Sequence, residues 1–182
     1  MINNRLTGQV WIETVIYTVI GLALIGTVLA FVSPKINETR DKIVVEQSIE
    51  AMQTLDAKVQ EVVGEGIGSK RVIQEFNLKR GDLIVNPNDD SVRLKISDLK
   101  TLYSESGSTL NFGRAALTSR KGQKVNEVEM VLSYNTGSAI RYGDSPNDKK
   151  VINAASTPYK ISIENKKDAG SGVNYINLLI ER

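Results

Sequence analysis

Glu13 stands at the edge of an apolar run, five residues after a glycine, in the order Gly8-Gln9-Val10-Trp11-Ile12-Glu13. A peptidase cutting after Gly8 would leave Gln9 with a free α-amino group and Glu13 about one helical turn further along. An ionised carboxylate beside a hydrophobic segment is costly unless it is paired. In a bundle of like helices the Gln9 ammonium of an adjacent copy is a suitable partner, and the pair would set the register between copies. The plainer alternative is a carboxylate in the first turn of a helix, where the macrodipole favours negative charge.

The order of these features differs from that of a secretory signal, whose apolar region precedes its small-residue cleavage site. Here the small residue comes first and no A-x-A-like site follows it. Cleavage after Gly8 would therefore keep the hydrophobic segment on the mature chain, either to span a membrane or to pack against copies of itself.

The rest of the chain offers little to catalysis. There are no cysteines and no histidines in 182 residues, which removes thiolate nucleophiles, thiolate metal sites and the commonest general base. The net charge of +2, from 23 basic and 21 acidic residues, is no nucleic-acid signature, and no nucleic-acid partner is expected. Asn88-Asp89-Asp90 could offer oxygens to Ca²⁺, but it lacks the pattern and distal glutamate of a calcium loop and reads as a hairpin turn. Asp144-Ser145-Pro146-Asn147-Asp148 is likewise a turn. Gly64-Glu65-Gly66-Ile67-Gly68 follows a helix, and no helix opens after it, so it reads as a linker rather than a phosphate loop. No catalytic residue, metal ligand or cofactor is expected. Asn37-Glu38-Thr39 is the single N-x-[ST] sequon, which makes Asn37 a candidate N-glycosylation acceptor.

The elements that position these residues follow from pattern. Thr14–Val32 carries no charge and would reach about 28 Å as a helix, enough for a bilayer core. Gly21 and Gly26 are poor helix formers in water, but in lipid small residues let helices approach closely. Ser33-Pro34 marks the exit, where proline would kink or restart the helix. From Ile36 to Val63 a second helical stretch sets Val44, Val45, Ile49, Met52, Leu55, Val59, Val62 and Val63 on one side. That stripe could pack on the chain's own β domain, against other copies, or both. From Lys70 the period becomes two, with strands expected at Val72–Leu78, Leu83–Val85, Val92–Ile96, Arg114–Ser119, Glu127–Tyr134, Ala139–Tyr142, Tyr159–Glu164 and Tyr175–Ile180. Turn clusters separate them, Asn135-Thr136-Gly137-Ser138 among them.

The leader, Gly8 followed by Gln-x-x-x-Glu and a long apolar run, resembles the class III signal peptide of archaeal type IV pilins and related pilin-like proteins. The resemblance covers Arg5 to Val32 closely and the layout of the remaining chain loosely. The strand–KRGDL–strand–NDD–strand succession over Val72–Ile96 is also loosely similar to the start of such heads. The family usually carries a basic residue just before the glycine, where this chain has Leu6-Thr7. In that family a prepilin peptidase cuts after the glycine, and the glutamate at the fifth mature position pairs with the amino terminus of an adjacent subunit. The resemblance thus implies cleavage between Gly8 and Gln9 and register roles for Gln9 and Glu13, with Gly21 and Gly26 in the assembling helix.

The expected fold class is α+β: a long N-terminal helix with a transmembrane or filament-core half and an amphipathic half, followed by an antiparallel β-sandwich-like head. The expected organisation is a leader over residues 1–8, an assembly helix over 9–33, an amphipathic helix and linker over 34–69, and a β-rich head over 70–182. The resemblance implies a structural subunit of a surface filament, not an enzyme. Its partners would be the membrane before assembly, a prepilin peptidase, and like subunits in a homo-oligomeric extracellular filament. The alternative is an uncleaved single-span protein with an extracytoplasmic binding head. Lys35, Arg40 and Lys42 after the span against Arg5 before it mildly favour a cytoplasmic head, against both readings.

Overall fold

The computed structural model describes residues 5–134 and 139–182, with side chains from Trp11 onward. Residues 1–4 of the expected leader, the surroundings of Gly8 and the Gln9 side chain, and the expected turn over residues 135–138 therefore lie outside the described residues. The chain divides into two compact units, Met1–Arg40 and Asp41–Arg182.

A single helix, α1 (Arg5–Glu65), supplies all that is described of the first unit and opens the second. In the first unit its side chains are exposed from Trp11 to Arg40, Gly21 alone being partly covered. The hydroxyls of Thr18 and Thr27 donate to the carbonyls of Thr14 and Ala23 at 2.8 Å. That back-bonding satisfies them without help from another element, as suits an apolar stretch. The helix continues through Pro34 rather than ending there. Proline removes one N–H from the ladder, but the turns on either side extend a helix already nucleated, where each added residue gains a bond.

In the second unit α1 is followed by ten strands. They are β1 (Lys70–Phe76), β2 (Asp82–Asn86), β3 (Ser91–Leu99), β4 (Thr109–Phe112), β5 (Ala115–Arg120), β6 (Asn126–Ser133), β7 (Ala139–Tyr142), β8 (Lys150–Asn153), β9 (Tyr159–Lys167) and β10 (Asn174–Glu181). They form a four-stranded sheet in the order β1-β9-β10-β7 and a six-stranded sheet in the order β4-β5-β6-β3-β2-β8. All pairs are antiparallel except β10 with β7, which run parallel. The α+β fold, a long helix followed by an antiparallel-rich, sandwich-like head, is as the periodicities predict.

The amphipathic stripe enters the head's core. Val45, Ile49, Met52, Leu55, Val59 and Val62 are buried in one cluster with Leu83, Val92, Leu94, Leu117 and Met130 of the six-stranded sheet and Ile161, Ile163 and Ile176 of the four-stranded sheet. Val44 and Val63 flank the cluster and are partly buried. Strand alternation delivers the sheet's share: in β6, Val128, Met130 and Leu132 are inward and buried, and their neighbours are not.

Two strands have no counterpart in the sequence reading. β4 alternates Thr109-Leu110-Asn111-Phe112 over only four residues and is exposed along most of its length, too short a run to stand out from a loop. β8 buries Ile152 alone. It opens on Lys150, an exposed charge that carries no strand signal. Both are edge strands, held by backbone pairing to β5 and β2. In β10 four successive residues, Tyr175 to Leu178, are buried, because the outer face of that strand is covered as well as the inner one.

Candidate functional site

The first-unit helix is the candidate site, and it is made of surface. The apolar window of α1 has a mean hydropathy of 2.5 and is 0% buried. Trp11 is 70% exposed, Leu24 62% and Phe31 74%. An apolar face this long is expected to be covered by lipid or by protein. By length and composition it could cross a membrane.

Glu13 is exposed on this helix, as are Gly26 and Asn37. A methyl group built on Gly21 or Gly26 would meet nothing within 4 Å beyond the local helix backbone. Among the described residues nothing approaches those glycines closely, so their open sides are available to another molecule. At about 100° per residue Glu13, Gly21 and Gly26 point to different sides of the helix. They cannot meet one neighbour together; they suit a helix surrounded by neighbours. The sequon at Asn37 lies in helical backbone, and the Thr39 hydroxyl donates to the Lys35 carbonyl at 3.0 Å.

The acidic turns of the head are occupied by the fold. Asp89 accepts from the Ser91 hydroxyl at 2.6 Å and pairs with Arg93. Asp90 takes a left-handed conformation (φ 48°) and its carboxylate accepts from the Ile140 amide at 2.9 Å. Asp89 thereby braces the β2–β3 turn against β3, and Asp90 ties it to β7. Asp144 accepts from Lys166 at 3.0 Å and from the Tyr175 hydroxyl at 2.9 Å. No group of three or more metal-ligating side chains occurs among the described residues.

Two clusters have no counterpart in the sequence reading. The first centres on Asp41, which is 6% exposed. Its carboxylate accepts from Arg80 Nη1 at 3.0 Å and from the Lys100 and Thr101 amides at 2.5 and 3.2 Å. Arg80 also donates to the Asp98 carbonyl. The KRGDL segment is thereby locked: Gly81 has φ 91°, and a Cβ there would sit 2.2 Å from the Lys95 carbonyl oxygen. The available signal is positional, because Asp41 lies four residues before Val45 and so continues the buried stripe. A carboxylate on such a stripe demands partners.

The second cluster covers the outer face of β10. Arg141 pairs with Asp168 at 2.6 Å and lies 4.1 Å from the centre of the Tyr175 ring. Amides of Ser171 and Gly170 and the Arg141 guanidinium hold the Asp168 carboxyl well below the usual carboxylate range. Burial works against Asp144, but the hydrogen bonds from Lys166 and Tyr175 outweigh it, and its pKa is lowered too. A depressed folded-state pKa contributes stability above the unfolded value of about 3.9, and that contribution is lost as pH falls through the folded value. Asp168→Asn is therefore expected to lower the urea midpoint at pH 7, with the gap from wild type closing as pH drops below about 4. A gap that persists unchanged into acid would show that the carboxylate charge plays no part.

No known family, curated protein or solved structure matches the chain. The functional reading therefore rests on the residues themselves: an exposed helix whose Thr14–Val32 stretch carries no charge and is preceded directly by Glu13, joined to a head whose acidic turns are spent on structure.

Proposed function

We propose that this chain is a pilin-like structural subunit, cut after Gly8 by a prepilin peptidase and assembled through the hydrophobic part of α1 into an extracellular surface filament. The observation that carries this reading is the leader order, Gly8-Gln9 followed by Glu13 and an apolar run that stays on the mature chain. It is supported by the exposure of that run, none of which is buried, and by glycines with nothing described against their open sides. Before assembly the helix is held in the membrane by the same surface. Filament growth then exchanges lipid contacts for contacts with like subunits. Every head-to-tail contact leaves a free patch for the next copy, which makes the array open-ended.

Glu13 has the register role in this scheme. In the assembled helices its carboxylate meets the new ammonium of Gln9 in an adjacent subunit. Glu13→Ala removes the partner of a desolvated charge, and filament yield is expected to fall at least about tenfold. The head should keep its wild-type melting curve. Electron microscopy of sheared filaments reads the first quantity and circular dichroism the second. Wild-type abundance of filaments from the mutant would sink the register role.

A further inference from the structure

Two large apolar side chains on α1 are explained neither by the hydrophobic span nor by the head's core. Ile36 and Ile43 lie past Val32 and are 46% and 45% exposed. At about 100° per residue Ile43 lies on the helix side opposite Val45 and Met52, which are buried against the strands. Ile36 and Ile43 also continue a seven-residue sequence spacing through Val15, Leu22, Leu29, Ile36 and Ile43, the spacing of a helix-contacting seam. Each isoleucine is preceded by a lysine, Lys35 or Lys42.

The head carries a surface of matching character. An open groove of about 380 Å³ runs between α1 and the β1 edge, with Gln47, Glu50 and Thr54 on the helix side and Ile73, Glu75 and Phe76 opposite. Its lining is mixed, with apolar contact at Ala51 and Ile73 among polar side chains. Its rim has two carboxylates, Glu50 and Glu75, against the one ammonium of Lys79. Lysine–isoleucine pairs one heptad apart are complementary in charge to a groove bearing two carboxylates, with apolar surface to offer Ala51 and Ile73.

We infer that this groove receives the Lys35-Ile36 to Lys42-Ile43 stretch of a second copy, with Lys35 and Lys42 paired to Glu50 and Glu75. The inference rests on the filament reading and names one subunit contact within it. Knob and groove are different surfaces of the same chain, so the contact is heterologous and propagates rather than closing into a dimer. The lysines now bridge within their own helix, Lys35 to Glu38 at 2.8 Å and Lys42 to Glu46 at 3.9 Å. Exposed pairs of this kind contribute little, so exchanging them for contacts between copies costs little.

The test uses the full chain in cells that have the peptidase. Lys35→Glu with Lys42→Glu, and separately Glu50→Lys with Glu75→Lys, should each cut filament yield by roughly tenfold or more through like-charge contact. All four changes in one chain should restore it. Ile36→Asn with Ile43→Asn should reduce yield with no change of charge, and thermal melts check that each head folds. Wild-type filaments with undiminished yield from every variant would overturn the contact and leave the filament reading standing. If instead the wild-type chain forms no filament and keeps its leader, the filament reading itself fails and the contact falls with it.

Discussion

A chain that begins at Lys70 is expected not to fold cooperatively, whereas one that begins at Asp41 is expected to do so. The physical reason lies in the stripe of α1. Val45, Ile49, Met52, Leu55, Val59 and Val62 are each at most 6% exposed, and all six belong to the head's core. At roughly 1.5–3 kcal/mol for each buried side chain, they contribute on the order of 9–18 kcal/mol. A domain's net stability is only about 5–15 kcal/mol, so removing the helix removes as much as the whole margin. Beyond the lost burial, the strands' inner faces would lie open to solvent and invite aggregation. Urea denaturation of the two truncated chains, followed by near-ultraviolet circular dichroism, separates the cases. A sharp transition from the Lys70 chain would show that the strands fold without α1.

The largest single-residue effect is expected at Asp41. Asp41→Ala leaves the Lys100 and Thr101 amides without their acceptor and Arg80 without its carboxylate. Removing one partner of a buried pair costs about 3–5 kcal/mol when both charges are desolvated. The Arg80 side chain is 34% exposed, and water recovers part of the loss, so about 3 kcal/mol is the expected fall in unfolding free energy. Asp41→Asn keeps one acceptor oxygen and should cost less. The readout is the urea midpoint at constant denaturant slope. A change of less than about 0.5 kcal/mol, the range of ordinary surface substitutions, would contradict the role given to this carboxylate.

How much of this was readable in advance differs by element. The helix of the second unit and eight of the strands follow from period alone, because burial on one side writes itself into the order of apolar and polar residues. The stripe from Val45 to Val62 is the clearest case, since each of its members enters the core. β4 and β8 are edge strands whose stability comes from main-chain pairing, and main-chain hydrogen bonds leave no mark on side-chain type. The parallel pairing of β7 with β10 depends on how chain segments return in space, which spacing does not encode. The Asp41 cluster joins residues 39 to 60 positions apart. Nothing local marks such a partnership except the oddity of a carboxylate on an apolar stripe. By contrast the candidate site is almost wholly legible, because an exposed apolar helix is a property of composition and order. The groove against β1 is the exception, since its walls come from Glu50 and from Ile73 to Phe76 and meet only in the fold.

The filament reading and its rival differ most directly at the first residue of the mature chain. The N-terminal residue of the membrane-extracted protein can be determined by mass spectrometry, from cells with and without prepilin peptidase. A start at Gln9 that depends on the peptidase is the predicted result, and it would place Glu13 at the fifth position of the processed subunit. A chain that begins at Met1 in both kinds of cell would contradict it, and would make α1 the anchor of a single-span protein whose head binds a partner.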